Sequence, residues 1–229
     1  MRRLTAMIVG VISVFTACSL QPAQAQVAPS QTEISQYTGL HAAAHAGDAD
    51  RIRKLVQGGA DLESRDSYGR TPLHVAAFAS HEDAVRALAS AGADMNALEH
   101  DDYDVVTIAA VADDEEMLKQ VLALGCRAGN ITSPYEGTAL IAAAHLGHDG
   151  VVRMLIDAGA PLDHVNNLGW TALIEAVILG DGGPRHVNAA RDLIDAGADI
   201  TIADRQGTTP YMHARERGYT AMLAVFPKP

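Results

Sequence analysis

The sequence predicts an all-α solenoid of about six helix-turn-helix repeats, with β-turn fingers joining one repeat to the next. Three observations predict it. Glycines that close an apolar helical run stand at Gly59, Gly92, Gly125, Gly159 and Gly197, spaced 33, 33, 34 and 38 residues apart. Helix-start threonines recur at Thr38, Thr71, Thr138, Thr171 and Thr209, and Asp104 supplies an acceptable N-cap in the third unit. Residues 66–94 hold one whole unit in readable form. Gly69 suits a turn that needs positive φ, Thr71 is an N-cap, and Pro72 sits at the first helical position, where its missing N–H costs nothing. Leu73, Ala76 and Ala77 give a small apolar face, and Gly92 closes the second helix. A unit of this size cannot bury that face alone, so copies must flank it on both sides.

In chain order, residues 1–25 read as a signal peptide. Met1-Arg2-Arg3 is a cationic start, residues 4–17 are apolar and uncharged, and Ala23-Gln24-Ala25 is an A-x-A cleavage site. A rival reading takes Phe15-Thr16-Ala17-Cys18 as a lipobox, which would anchor the mature chain through a lipid on Cys18. Both readings export the protein, to the bacterial periplasm as a soluble chain or to a membrane surface as a lipoprotein. The apolar run is too short for a membrane span. Residues 26–32 read as a linker. The repeats follow at about 33–65, 66–98, 99–132, 133–165, 166–203 and 204–229. The third is the most degenerate, with Val105, Val106 and Ile108 holding its apolar pattern. The fifth carries the residues that make the 38 spacing. Gly180, Gly182, Gly183 and Pro184 predict a protruding loop there that tolerates shortening.

Charge and composition bound the function. A formal net charge of −11 argues against nucleic acid or an anionic membrane surface and favours a basic or neutral partner. There is no Gly-x-Ser-x-Gly, His-Glu-x-x-His, P-loop or Cys-x-x-Cys, so no catalytic residue, metal site or cofactor is assigned. The ten histidines keep a competing class open, a metal-binding or enzymatic protein built on His and Asp side chains. Two acidic clusters stand in the third repeat. Glu99, Asp101, Asp102 and Asp104 precede its first helix, and Asp113, Asp114, Glu115 and Glu116 lie between its helices. Both read as solvated surface and as favourable charge at helix N-termini. Cys126, the one cysteine left after cleavage at the A-x-A site, follows a helix-closing glycine and reads as a small packed residue.

The string Asp66-Ser67-Tyr68-Gly69-Arg70-Thr71-Pro72-Leu73-His74-Val75-Ala76-Ala77, followed by Ala91-Gly92-Ala93-Asp94 and repeated at a 33-residue period, resembles the ankyrin repeat. The resemblance covers roughly residues 34–226. It implies that His41 and His74 bond between neighbouring turns, and that His81 and His148 sit at the turn between helices. It also implies a monomeric, non-enzymatic module that binds a protein through its concave groove. Exported bacterial ankyrin proteins are sometimes linked with stress-defence enzymes such as catalases, or act as immunity proteins against secreted toxins.

The candidate partner-binding residues follow from the family's groove. Tyr37, Arg70, Tyr103 and Trp170 share the position just before the helix-start residue. Tyr68, Asp101, Tyr135 and Leu168 share the position two residues earlier, with Asp102 beside them. Phe78 and His145 belong to a second row at the ends of the first helices. Aromatic side chains dominate interface energetics, so a binding stripe is expected, against the alternative that these rings pack on adjacent fingers.

Overall fold

The computed structural model describes residues 26–227; the leader, with its A-x-A site and Cys18, lies outside the described residues. After an entry helix α1 (Gln31–Gln36), short and longer helices alternate. The inner row is α2 (Gly39–His45), α4 (Pro72–Phe78), α6 (Val105–Val111), α8 (Ala139–Leu146), α10 (Ala172–Ile178) and α12 (Pro210–Glu216). The outer row is α3 (Ala49–Gln57), α5 (Glu82–Ser90), α7 (Glu115–Ala123), α9 (Asp149–Asp157), α11 (Pro184–Asp195) and the short α13 (Thr220–Leu223). Each inner helix packs on its outer partner and on the next inner helix. This gives the solenoid, and among the described residues no strand is present beyond one bridge between Thr132 and Gly137.

Composition explains the two rows. The inner helices between the two ends, α4, α6, α8 and α10, are buried nearly all round; in α4 every residue from Pro72 to Ala77 is buried. Alanine at positions such as 43, 76, 109, 143 and 176 lets neighbouring inner helices approach closely. The outer helices bury one stripe, Ala84, Val85 and Leu88 in α5, for example, and turn Glu82, Asp83 and Arg86 outward. Thr138, Thr171 and Thr209 cap inner helices through their hydroxyls. Asp48 and Asp114 do the same for outer helices.

Histidines tie the rows together. His41 bonds the Arg70 carbonyl at 3.0 Å, and His74 bonds those of Ala97 and Tyr103 at 3.1 and 3.2 Å. At the starts of outer helices, His81 reaches the His45 carbonyl and His148 that of Ala110, and His186 in the first turn of α11 reaches that of His145. His81, His148 and His186 thus join their repeats to the one before, and His41 and His74 join theirs to the one after.

Two expectations about local structure change. Residues 26–32 are not a free linker: α1 begins at Gln31, capped by a reciprocal Ser30–Glu33 pair, and the Val27 carbonyl is held by Arg70. The fifth-repeat insertion is not a protruding loop either. Much of it lengthens α11, which has 12 residues where α3, α5, α7 and α9 have 9. Pro184 starts that helix and Arg185 reaches back to Asp149 and Asp113. Ahead of it, Gly182 packs on the Tyr219 ring of the last repeat, and the Tyr219 hydroxyl donates to the Gly180 carbonyl at 3.0 Å.

Candidate protein-interaction surface

The fingers are built by one device used four times. Asp66, Glu99, Asn166 and Asp204 occupy equivalent places. Each side-chain oxygen accepts the N–H groups two and four residues on: Tyr68 and Arg70, Asp101 and Tyr103, Leu168 and Trp170, Gln206 and Thr208. The turn therefore folds around its own carboxylate or amide. Successive fingers are stitched by backbone bonds from His100 N–H to the Tyr68 carbonyl, Ser133 to Asp102 and Asn167 to Tyr135. The result is a surface whose backbone, and so the root of each finger side chain, is held by bonds internal to the chain.

That stitching sorts the expected stripe into two classes. The position before the helix start faces inward. Contrary to the sequence expectation of open contact residues, Tyr103 is only 8% exposed and Arg70 is fully buried, with residues 26–36 held on its guanidinium. Burial raises the Tyr103 hydroxyl to about 12. Tyr37 and Trp170, at the same position, are half-buried. The Tyr37 hydroxyl donates to Asp66 Oδ2 at 2.7 Å, so this ring does pack on the adjacent finger. The position two residues earlier is the exposed one: Tyr68 is 41% and Leu168 40% exposed, Asp101 is exposed, and Tyr135 is half-buried. Asp102 is exposed beside Asp101, with a positive φ of 60°. Phe78 and His145 are half-buried on the inner-helix side.

Arg70 organises the first two fingers. Its Nε donates to Asp66 Oδ2 at 2.8 Å, Nη1 donates to the Val27 carbonyl at 3.0 Å, and Nη2 pairs with Glu33. The guanidinium lies 4.6 Å from the centre of the Tyr68 ring. Burial pushes the Asp66 carboxyl up, but the Tyr37 hydroxyl, the Arg70 and Tyr68 N–H groups and the guanidinium together hold it below its ordinary value. At Glu99 burial wins over the same pair of N–H donors and the carboxyl is raised.

A second polar group escaped the sequence reading. Glu175 is buried in α10 at a register where α4 and α6 carry Val75 and Ile108. Its Oε1 accepts from Asn166 Nδ2 at 2.8 Å, and its Oε2 lies 3.1 Å from His145 Nδ1. The pair fixes the imidazole against the fifth finger. A glutamate inside an otherwise apolar inner-helix pattern was the available signal; its partner comes from the neighbouring repeat, which the pattern does not give.

The remaining candidates fall into structural roles. In the first acidic cluster Asp104 caps α6 and bonds Asn130, leaving Asp101 and Asp102 as its exposed charges. In the second, Asp114 caps α7 and accepts the Ser80 hydroxyl, and Asp113 pairs with Arg185. Among the described residues no group of three or more His, Cys, Asp or Glu side chains is arranged to hold a metal ion. Cys126 is buried, its Sγ lies 3.1 Å from the Met95 carbonyl, and burial raises the thiol to about 12. Among the same residues no helix is long and apolar enough to cross a membrane.

Stacked helix pairs with self-bonded fingers define a repeat scaffold. The family model for ankyrin repeats, in three copies, matches residues 15–99 and 106–204, most of the chain. The chain belongs to the ankyrin repeat family, whose repeats in general mediate protein–protein interaction. It is similar to an ankyrin repeat domain from Acinetobacter baumannii AYE, at 39% identity and a TM-score of 0.76, over 81% of this chain and 94% of that one. A second solved ankyrin repeat protein, EF0377, matches at 29% identity and a TM-score of 0.75, over 82% of this chain and 97% of that one. Among curated proteins it is 34% identical over 91 residues to the ankyrin repeat protein YahD of Escherichia coli (strain K12). That match spans 39% of this chain and 45% of the relative's length.

Proposed function

We propose that this protein is a non-enzymatic scaffold that binds a partner protein on the face formed by its fingers and inner helices, and that it works in the bacterial periplasm. The observation that carries the reading is the exposed finger row. Tyr68, Asp101, Tyr135 and Leu168 recur at one register on fingers that are already rigid. Large apolar side chains held there lose little freedom on binding, and Asp101 and Asp102 add attraction for a basic surface. Trp170 and His145 border the row at the fifth finger, and residues 33–229 serve as one array. The partner class is another exported protein, an enzyme of stress defence or a toxin. The leader supports export, and intact mass of the exported chain tests it. Cleavage after Ala25 gives the soluble form, whereas a mass with acyl chains on Cys18 gives the anchored one.

Capture from periplasmic extract on the immobilised chain tests the binding reading, with Leu168→Ala and the Asp101→Asn/Asp102→Asn pair as variants. We expect Leu168→Ala to weaken a captured partner by about 1–3 kcal/mol, and the neutralised pair to slow association and flatten its salt dependence. A partner bound equally by all three chains would refute this face as the site.

A further inference from the structure

The groove over the first two repeats already has an occupant, the chain's own residues 26–36. Ala28, Pro29 and Ile34 face His45, Val75 and Phe78 across a narrow cleft. Arg70, 43 residues on, fastens the segment at two points, the Val27 carbonyl and the Glu33 carboxylate. Phe78 and Val75 are inner-helix residues on the face assigned above to a partner, so the segment covers part of the very surface the scaffold would offer.

The segment is held differently from the array. Helix α1 buries none of its residues, whereas α4 buries six of seven. Val27 is 50% exposed, and the Gln26 Nε2 amide is buried with no hydrogen-bond partner among the described residues, a cost that solvation on release would remove. Its polar anchorage runs through one side chain. If the segment left, Arg70 would keep Asp66 and the Tyr68 ring, but its Nη1 and Nη2 groups would face the groove unpaired. That is a cationic point in a chain of net charge −11. An unpaired buried guanidinium is unfavourable, so the vacated groove calls for a carboxylate and a backbone carbonyl in the places of Glu33 and Val27.

We propose that residues 26–36 are a built-in strap on a peptide-docking groove, and that a partner segment of the same form, small apolar residues leading into a helical turn that carries a carboxylate, displaces it. The proposal rests on the groove reading above and adds the chemistry of one end of it. The first two repeats take an acidic-apolar segment at Arg70, while the exposed Asp101 and Asp102 of the third finger suit basic groups.

The test uses the full mature chain and a fluorescent synthetic peptide of residues 26–37 as probe. In the variant Glu33→Ala/Ile34→Asp the strap loses its anchor and its apolar contact while the array is untouched. We expect the probe to bind this variant about tenfold or more tighter than wild type, because the cis strap competes in the latter. A probe carrying Glu33→Gln should lose about tenfold in affinity for the released variant, since Arg70 requires a charged acceptor. In the wild-type chain, the amides of Ile34 and Tyr37, bonded to Ser30 and Ile34 carbonyls, should exchange far faster than those of α4. Strap amides that exchange only with global unfolding would overturn the proposal, as would equal probe binding to wild type and the released variant. Either failure leaves the wider groove reading standing, which is judged separately by partner capture at Leu168.

Discussion

Replacing His74 interrogates a fully buried polar device of the array. Its Nδ1 accepts the Thr71 N–H at 3.2 Å, and its Nε2 faces the Ala97 and Tyr103 carbonyls at 3.1 and 3.2 Å, so the ring is neutral with its proton on Nε2. The side chain is fully buried. Burial pushes its pKa down to about 4, against the two carbonyls and the Asp104 carboxylate, which push it up; Arg65 adds to the lowering. In the unfolded chain the same ring titrates near 6.5. Between those values the unfolded state binds more protons, so stability is full above about pH 6.5 and is lost as the pH falls toward about 4. The loss amounts to about 2–3 kcal/mol by about pH 4.5. His74→Ile removes the titration with a side chain the fold accepts, since Ile141 and Ile174 stand buried at the same register. It also deletes the ties to the finger, costing about 1–3 kcal/mol at about pH 8. Urea unfolding followed by circular dichroism from about pH 8 down to about pH 4.5 should show the variant less stable at the alkaline end and the gap closing or reversing at the acid end. A gap that stays constant across that range would refute the argument that burial holds this ring neutral.

Tyr103→Ala should destabilise the protein by about 3 kcal/mol, as a large buried ring leaves a cavity, whereas Leu168→Ala should stay within about 0.5 kcal/mol of wild type; thermal unfolding of the pair separates the two classes of finger residue. Gly182→Ala should cost about 1–2 kcal/mol. The glycine has φ +70°, and an added Cβ would stand 2.7 Å from the Tyr219 ring, so a variant as stable as wild type would show that the insertion does not pack on the last repeat. Cys126 should react slowly with thiol reagents in the native chain and rapidly in denaturant, because burial raises its thiol to about 12; fast native labelling would contradict that burial.

The sequence by itself determined the architecture. A 33-residue period, caps at fixed offsets and alanine-rich inner helices are local patterns, each satisfied within one unit and its neighbours, so they survive reading one residue at a time. The same holds for His41 and His74, whose bonds run to the next repeat at a constant register. Tertiary structure decided which side chains are available. Arg70, Tyr103, Tyr68 and Leu168 all read as finger residues of one stripe. Only the packed chain, through the stitching of finger to finger and the segment 26–36 laid on Arg70, buries the first two and leaves the last two at the surface. The insertion at 180–186 looked free because glycine and proline mark breaks in local structure, yet Tyr219 and Asp113 reach it from other repeats. The strap and the His145–Glu175–Asn166 group were decided the same way. The strap's bonds to Arg70 and the His145–Glu175 contact join residues of different repeats, and non-local pairing energy is set by where the packed chain brings groups together, which no local pattern records.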